Sequence, residues 1–260
     1  MPITEKIQNI IKGRPCFVVA KGVSLDMLKD KIEDYKDLDV CWVTLNDFHY
    51  IEDSILSKIG KKFELVSDCA TVYKVDYYET MIRLPRFTEY LGRKNNLLML
   101  SNLVVEQCFR KQKREDLLEK YRDKIITIDE LFSSPQCPRQ IWNRPPNSIT
   151  LLYAFLIAGG ATKIINFGLD GYQASMSSLE SYYMPEAVNQ ERHEAYGENR
   201  EASLKTDGED FNKRWKSIEE IYRISFNNPK VKIYNCSPIT TINVFPIINY
   251  DQVKETINGN

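Results

Sequence analysis

Short, continuous apolar runs recur along the chain, and most end in a glycine or a pair of polar residues. They are CFVVA (16–20), VCWVTL (40–45), FELVSD (63–68), NLLMLSN (96–102), KIITID (124–129), KIINFG (163–168) and KVKIYNCS (230–237). Runs of this length that are mostly apolar predict strands buried on both faces. Helical patterns lie between them. Residues 3–12 read as a short amphipathic helix stopped by Gly13 and Pro15. KGVSLDML reads as a glycine turn into a helix with Ser24 as its N-cap. Residues 113–124 form a charged amphipathic pattern, and 210–228 another that ends in Asn-Asn-Pro. NSITLLYAFLIAGGA (147–161) reads as a long apolar helix with an Asn/Ser start and a Gly-Gly end.

Strands alternating with helices predict an α/β fold: a Rossmann-like, mostly parallel sheet with helices on both faces. Residues 1–172 and 207–260 make up this core. The hydrophilic stretch 173–206 is read as a lid insertion. In open parallel sheets, ligands bind at the carboxyl ends of the strands. The polar corners fall there: Gly22 and Ser24, Asn46 and Asp47, Ser67 and Asp68, Asp170 and Tyr172, Asn235 and Ser237.

Composition narrows the function little. Hydrophobic residues are 43% and charged residues 27%, with a net charge of −1, so no overall field draws the chain to nucleic acid or anionic lipid. The six cysteines are scattered without C-x-x-C spacing, as expected for reduced, structural thiols in a cytoplasmic protein. No apolar run approaches the ~20 residues of a membrane span, and the N-terminus carries no signal-peptide pattern.

Each candidate corner has a plain reading and a chemical one. The Gly22 turn is either a simple turn or, with its amides and the following helix start, a phosphate or carboxylate seat. Asn46 and Asp47 are common turn formers that can also hydrogen-bond a sugar or base. Asn147, Ser148 and Thr150 cap a helix whose amides can face an anion, with Arg144 close by. In GLDGY, Gly168 permits close approach to the backbone, Asp170 is an acceptor and Tyr172 an aromatic platform, a set suited to a base or ribose. His49 follows a strand end and reads as a surface residue. His193 lies in the lid and is a candidate base near pH 7, with Glu198 and Asp207 as further candidates. The D-x-D formed by Asp37 and Asp39 precedes strand two, at the wrong end for a ligand, and no His/Cys cluster suggests zinc.

With its strand ends in order, the chain resembles glycosyltransferase family 42, the bacterial sialyltransferases, over residues 14–245. It is also similar to a wider group related to motility-associated flagellin glycosyltransferases, with a pterin pyrophosphokinase as an outlier. FVVAKGVSLDML looks like the family's first strand and Gly-Pro-Ser turn, with Val23 in place of Pro. TLNDF matches the strand-two Asn. NSITLLYAFLIAGGATKIINFGLDGY looks like the Ser-led helix, strand and Gly-x-Asp-x-Tyr loop. KTDGEDF and NCSPITTINVFP resemble the segment after the lid and the last strand with its tail. The resemblance implies a GT-A-like nucleotide-binding domain, a CMP-sugar donor, inverting transfer to an acceptor hydroxyl and no metal. Gly22 and Ser24 would lie near phosphate, and Asn46 would face nucleotide and donor sugar. Ser148 would touch the donor, and Gly168, Leu169 and Asp170 would hold ribose and base. Tyr172, with Tyr182 or Tyr183, would stabilise the departing phosphate. Counting back from Thr206-Asp207, the family's lid histidine falls at Ala202, so His193 fills that role only in a shifted register. Asp68 stands where the family has Asn, and a carboxylate there would repel a phosphate.

Two other readings stay open. A pyrophosphoryl transferase on this scaffold would need ATP and Mg²⁺, with Asp47, Asp68 and Asp170 as ligands. A non-catalytic nucleotide-binding or assembly protein would need neither. The acceptor is open among a lipid-linked glycan, a protein, a small molecule and a modified nucleobase. An exposed apolar helix face would favour a homo-oligomer.

Overall fold

All seven predicted strands form, and they make one sheet. The structure is a computed structural model that describes residues 3–22, 24–46, 48–68, 83–132, 148–171 and 200–259. The strands are β1 (Cys16–Val19), β2 (Cys41–Leu45), β3 (Leu65–Asp68), β4 (Leu97–Leu100), β5 (Ile125–Thr127), β6 (Lys163–Phe167) and β7 (Lys232–Asn235). Every pairing is parallel, in the order β5-β4-β3-β2-β1-β6-β7. Parallel pairing requires crossovers, and helices supply them on both faces. They are α1 (Ile3–Ile11), α2 (Leu25–Lys31), α3 (Phe48–Ser54), α4 (Leu84–Gly92), α5 (Glu115–Lys120), α6 (Ser148–Ala158), α7 (Arg200–Ser225) and α8 (Val253–Asn258). The connection from β4 includes a π-helical stretch, Val105–Arg110.

The pleat sorts side chains into two cores. Cys16, Val18, Cys41, Val43, Leu65, Leu97, Met99 and Ile164 face one cluster with α1, α6 and α7. Phe17, Val19, Trp42, Val66, Leu98, Leu100 and Ile165 face the other, with α2, α3 and α4. This two-sided burial is why the inner strands read as nearly unbroken apolar runs. Helix α6 is buried all round, from Ile149 to Ala158, because it lies between the sheet, α1 and α7. It ends as its sequence predicts. Gly160 takes φ +78°, its N–H reaches the Ile157 carbonyl at 3.1 Å, and the Ala161 N–H reaches Leu156 at 3.0 Å.

Three elements differ from expectation. The last two residues of KIITID are not strand: β5 stops at Thr127 and a helical turn, Ile128–Phe132, follows. Helix α7 begins at Arg200 rather than 210, inside the stretch assigned to the lid. Its first turns, REASLK, are good helix formers whose polarity hides any apolar period. His49 is buried rather than exposed, because Asn46 turns the chain at φ +50° and α3 lays Phe48, His49 and Ile51 onto the sheet.

Of the second core, Phe17 is the hub. Its ring meets those of Trp42 and Phe167 edge-on at 5.0 Å each, and that of Tyr35 at 5.7 Å. Phe17→Ala should lower the unfolding free energy by about 3–5 kcal/mol in denaturant titration. A loss under about 1 kcal/mol would contradict this packing.

Candidate functional site

Strand order reverses once, between β1 and β6. At such a reversal the connections leave in opposite directions and open a crevice at the carboxyl ends. Here the two turns that leave the crevice are joined. Ala20 N–H donates to the Phe167 carbonyl at 2.8 Å, and Gly22 N–H donates to Gly168 at 2.8 Å. Only glycine fits at 22, since a Cβ would overlap the Asp170 carboxylate and come within 2.6 Å of the Gly168 oxygen. Gly168 itself takes φ +67°.

Asp170 crosses from the β6 turn to the start of α2. Its Oδ2 accepts from the Ser24 backbone N–H at 2.9 Å, and its Oδ1 accepts from the Ser24 hydroxyl. Ser24 does occupy the N-cap position, but its own side chain makes no capping bond. The cap is supplied by Asp170 from the neighbouring turn, where a carboxylate complements the positive end of a helix. Asp170 is 3% exposed, and Leu169 is buried beside it.

Two more corners complete the edge. Asn46, half-buried at the end of β2, donates its N–H to the Ser67 carbonyl at 2.8 Å. Asp68 ends β3 in full burial and pairs with Arg83, Nη2 to Oδ1, at 3.3 Å. Both side chains are 2% exposed or less, so each charge is compensated where water cannot do it. Arg83 therefore offsets the charge of Asp68. Arg83 went unremarked in the sequence, where nothing ties it to a residue 15 positions earlier. Across the four neighbouring strands β3, β2, β1 and β6, the edge thus presents Asp68, Asn46, Gly22 with Ser24, and Gly168 to Asp170. Ser148 opens α6, half-buried. Asp47, Arg144, Asn147, Tyr172, Tyr182, Tyr183, His193 and Glu198 lie outside the described residues, and the side chain of Asp207 is likewise not described.

Two cavities, of about 450 Å³ and 330 Å³, lie at the opposite, amino edge and share Arg14, Asp39 and Glu64. Arg14 is committed there. It donates to the Ile10 and Ile11 carbonyls at 2.7 and 3.1 Å and to Glu64 at 2.6 and 3.3 Å. Burial opposes its charge, but the bond and charge of Glu64 outweigh this and raise its pKa. This edge is a structural joint between α1, β1 and β3.

Among the described residues, no group of three or more His, Cys, Asp or Glu side chains is placed to hold a metal ion, and no helix is long and apolar enough to cross a membrane. The thiols of Cys16, Cys41, Cys108 and Cys236 are buried, and burial pushes the pKa of Cys236 up. Fold and edge together define a doubly wound α/β protein whose two crevice turns are locked to each other. No family model matches the chain, and no curated protein matches it.

Asp68→Ala should cost about 3–5 kcal/mol of stability, because it removes the carboxylate that faces a buried guanidinium. The paired change Asp68→Leu with Arg83→Met should recover most of that loss in the same denaturant titration. A single variant as stable as the parent would show that the pair is not closed in solution.

Proposed function

We propose that this chain is a glycosyltransferase. It moves a sialic acid-like sugar from a CMP-sugar, or another nucleotide sugar, to an acceptor hydroxyl, with inversion and without a metal. One observation carries the reading: the two glycine turns that the family resemblance assigns to the donor converge at the single reversal of strand order. In that reading Asn46 faces the nucleotide and donor sugar, and Ser148 touches the donor. The backbone of Gly22 and of Gly168 to Asp170 forms the wall against which ribose and phosphate lie. His193 takes the acceptor proton, with Glu198 as the other candidate. Tyr172 and Tyr182 or Tyr183 donate to the phosphate as its charge grows during bond breaking.

The charge of the edge favours this over magnesium-dependent pyrophosphoryl transfer. That reaction would enlist Asp47, Asp68 and Asp170. Asp68 faces Arg83 and Asp170 faces Ser24, so two of the three would have to leave buried partners to reach a metal. A phosphodiester donor bears one negative charge and makes no such demand.

Thermal unfolding with CMP, UDP, GDP, ADP and ATP, each with and without Mg²⁺, tests the reading. A ligand bound only to the native state raises Tm by mass action, by about 5 °C or more at a hundredfold excess over Kd. Stabilisation by CMP without metal is the expected result. A gain from UDP or GDP alone would keep the sugar transfer and replace the donor. A gain only from ATP with Mg²⁺ would replace sugar transfer by pyrophosphoryl transfer.

A further inference from the structure

Both turns of the crevice are gripped by one other piece of chain, the segment that follows β7. Its path is pinned at the sheet: Asn235 N–H donates to the Pro246 carbonyl at 3.0 Å, and Ile248 N–H donates back to Asn235 at 3.0 Å. Between those bonds it passes along the β6 turn. The Thr240 hydroxyl donates to the Leu169 carbonyl at 2.8 Å, and Asn235 Nδ2 donates to the same oxygen at 2.9 Å. Thr241 N–H donates to the Asp170 carbonyl at 3.0 Å, and the Thr241 hydroxyl to Gly171 at 3.0 Å. Three successive carbonyls of that turn are thereby fixed. Farther on, Tyr250 reaches the other turn. Its hydroxyl donates to the Ser24 carbonyl at 3.0 Å, while its own carbonyl accepts from Tyr35 at 2.7 Å. Its ring lies 5.6 Å from that of Phe167.

We infer that Thr241 and Tyr250 are positioning residues of the nucleotide site, acting through the two turns and not through contact with ligand. This rests on the nucleotide reading given above. The Asp170–Ser24 bridge sets the spacing of the turns, and the strap stops each turn from swinging about that bridge. A loop ordered before binding does not charge its ordering entropy to the ligand. Losing one of these bonds should therefore weaken binding even though no ligand contact is lost.

The experiment compares Tyr250→Phe and Thr241→Val with Thr241→Ser, which keeps the hydroxyl, and with Tyr90→Phe as a control. Tyr90 is as deeply buried, and its hydroxyl bonds to Glu64 and Leu97 at the amino edge. Amide hydrogen exchange is measured on the ligand-free proteins, then CMP affinity by calorimetry below each Tm. Tyr250→Phe and Thr241→Val should speed exchange in 20–25 and 168–171 and weaken CMP binding about fivefold, the value of one net hydrogen bond. Thr241→Ser should bind as the parent does, and Tyr90→Phe should leave both readouts unmoved. Unchanged exchange in both turns overturns the inference. So does faster exchange with parental affinity, or an equal loss in Tyr90→Phe. If the parent itself binds no nucleotide, the functional reading falls with it, and that failure is visible before any variant is made.

Discussion

The bond from Gly22 N–H to the Gly168 carbonyl, with Asp170 reaching back over it to Ser24, is the constraint on which the carboxyl edge depends. It is possible only because β1 and β6 are neighbours although well over a hundred residues separate them, and only because position 22 has no side chain. Once it forms, the direction of α2 follows, since the amide of its N-cap residue is held by a group from the β6 turn. The strap after β7 then has a fixed surface to bind. The central apolar layers, by contrast, would tolerate many exchanges of volume-matched residues. The edge tolerates few, because its turns are held by contacts between backbone groups and by the Asp170 carboxylate on Ser24.

The same edge manages two buried carboxylates in different ways. Asp170 is stabilised by a helix start and a hydroxyl, and Asp68 by a guanidinium. Both carboxylates are thereby engaged by partners within the edge. Under the proposed function a singly charged phosphodiester meets little repulsion from them, whereas a magnesium triphosphate would need carboxylates that are already engaged. In that proposal binding energy comes from shape and backbone contacts on pre-ordered turns, which is why the strap matters to the functional account as well as to the fold.

The strands were legible because burial on both faces leaves a clear signature: CFVV, and IINF after the leading Lys163, carry no polar residue except Asn166. That residue satisfies itself inside, accepting from the Tyr153 hydroxyl at 2.7 Å and donating to the Tyr234 carbonyl at 2.8 Å. The glycine at 22 was legible as a turn, but its reason was not, because the atoms it must avoid belong to residues 168 and 170. Ser24 shows the limit of local rules. Its position as N-cap is written in the sequence, yet the capping group comes from Asp170, 146 residues away. Arg83, Thr241 and Tyr250 carried no local sign, since their partners are set by sheet order alone. Helix α7 was misjudged at its start because solvent-facing helix formers and a polar loop have the same composition.

The central claim is that ligand binds at the carboxyl edge of β3, β2, β1 and β6. Amide NMR of uniformly labelled protein titrated with CMP tests it most directly. The account predicts shift changes gathered in residues 20–25, at Asn46 and in 168–171, with the amino-edge residues 37–40 and 60–64 still. Changes gathered at the amino edge around Arg14 and Glu64, or none at saturating CMP, would contradict it.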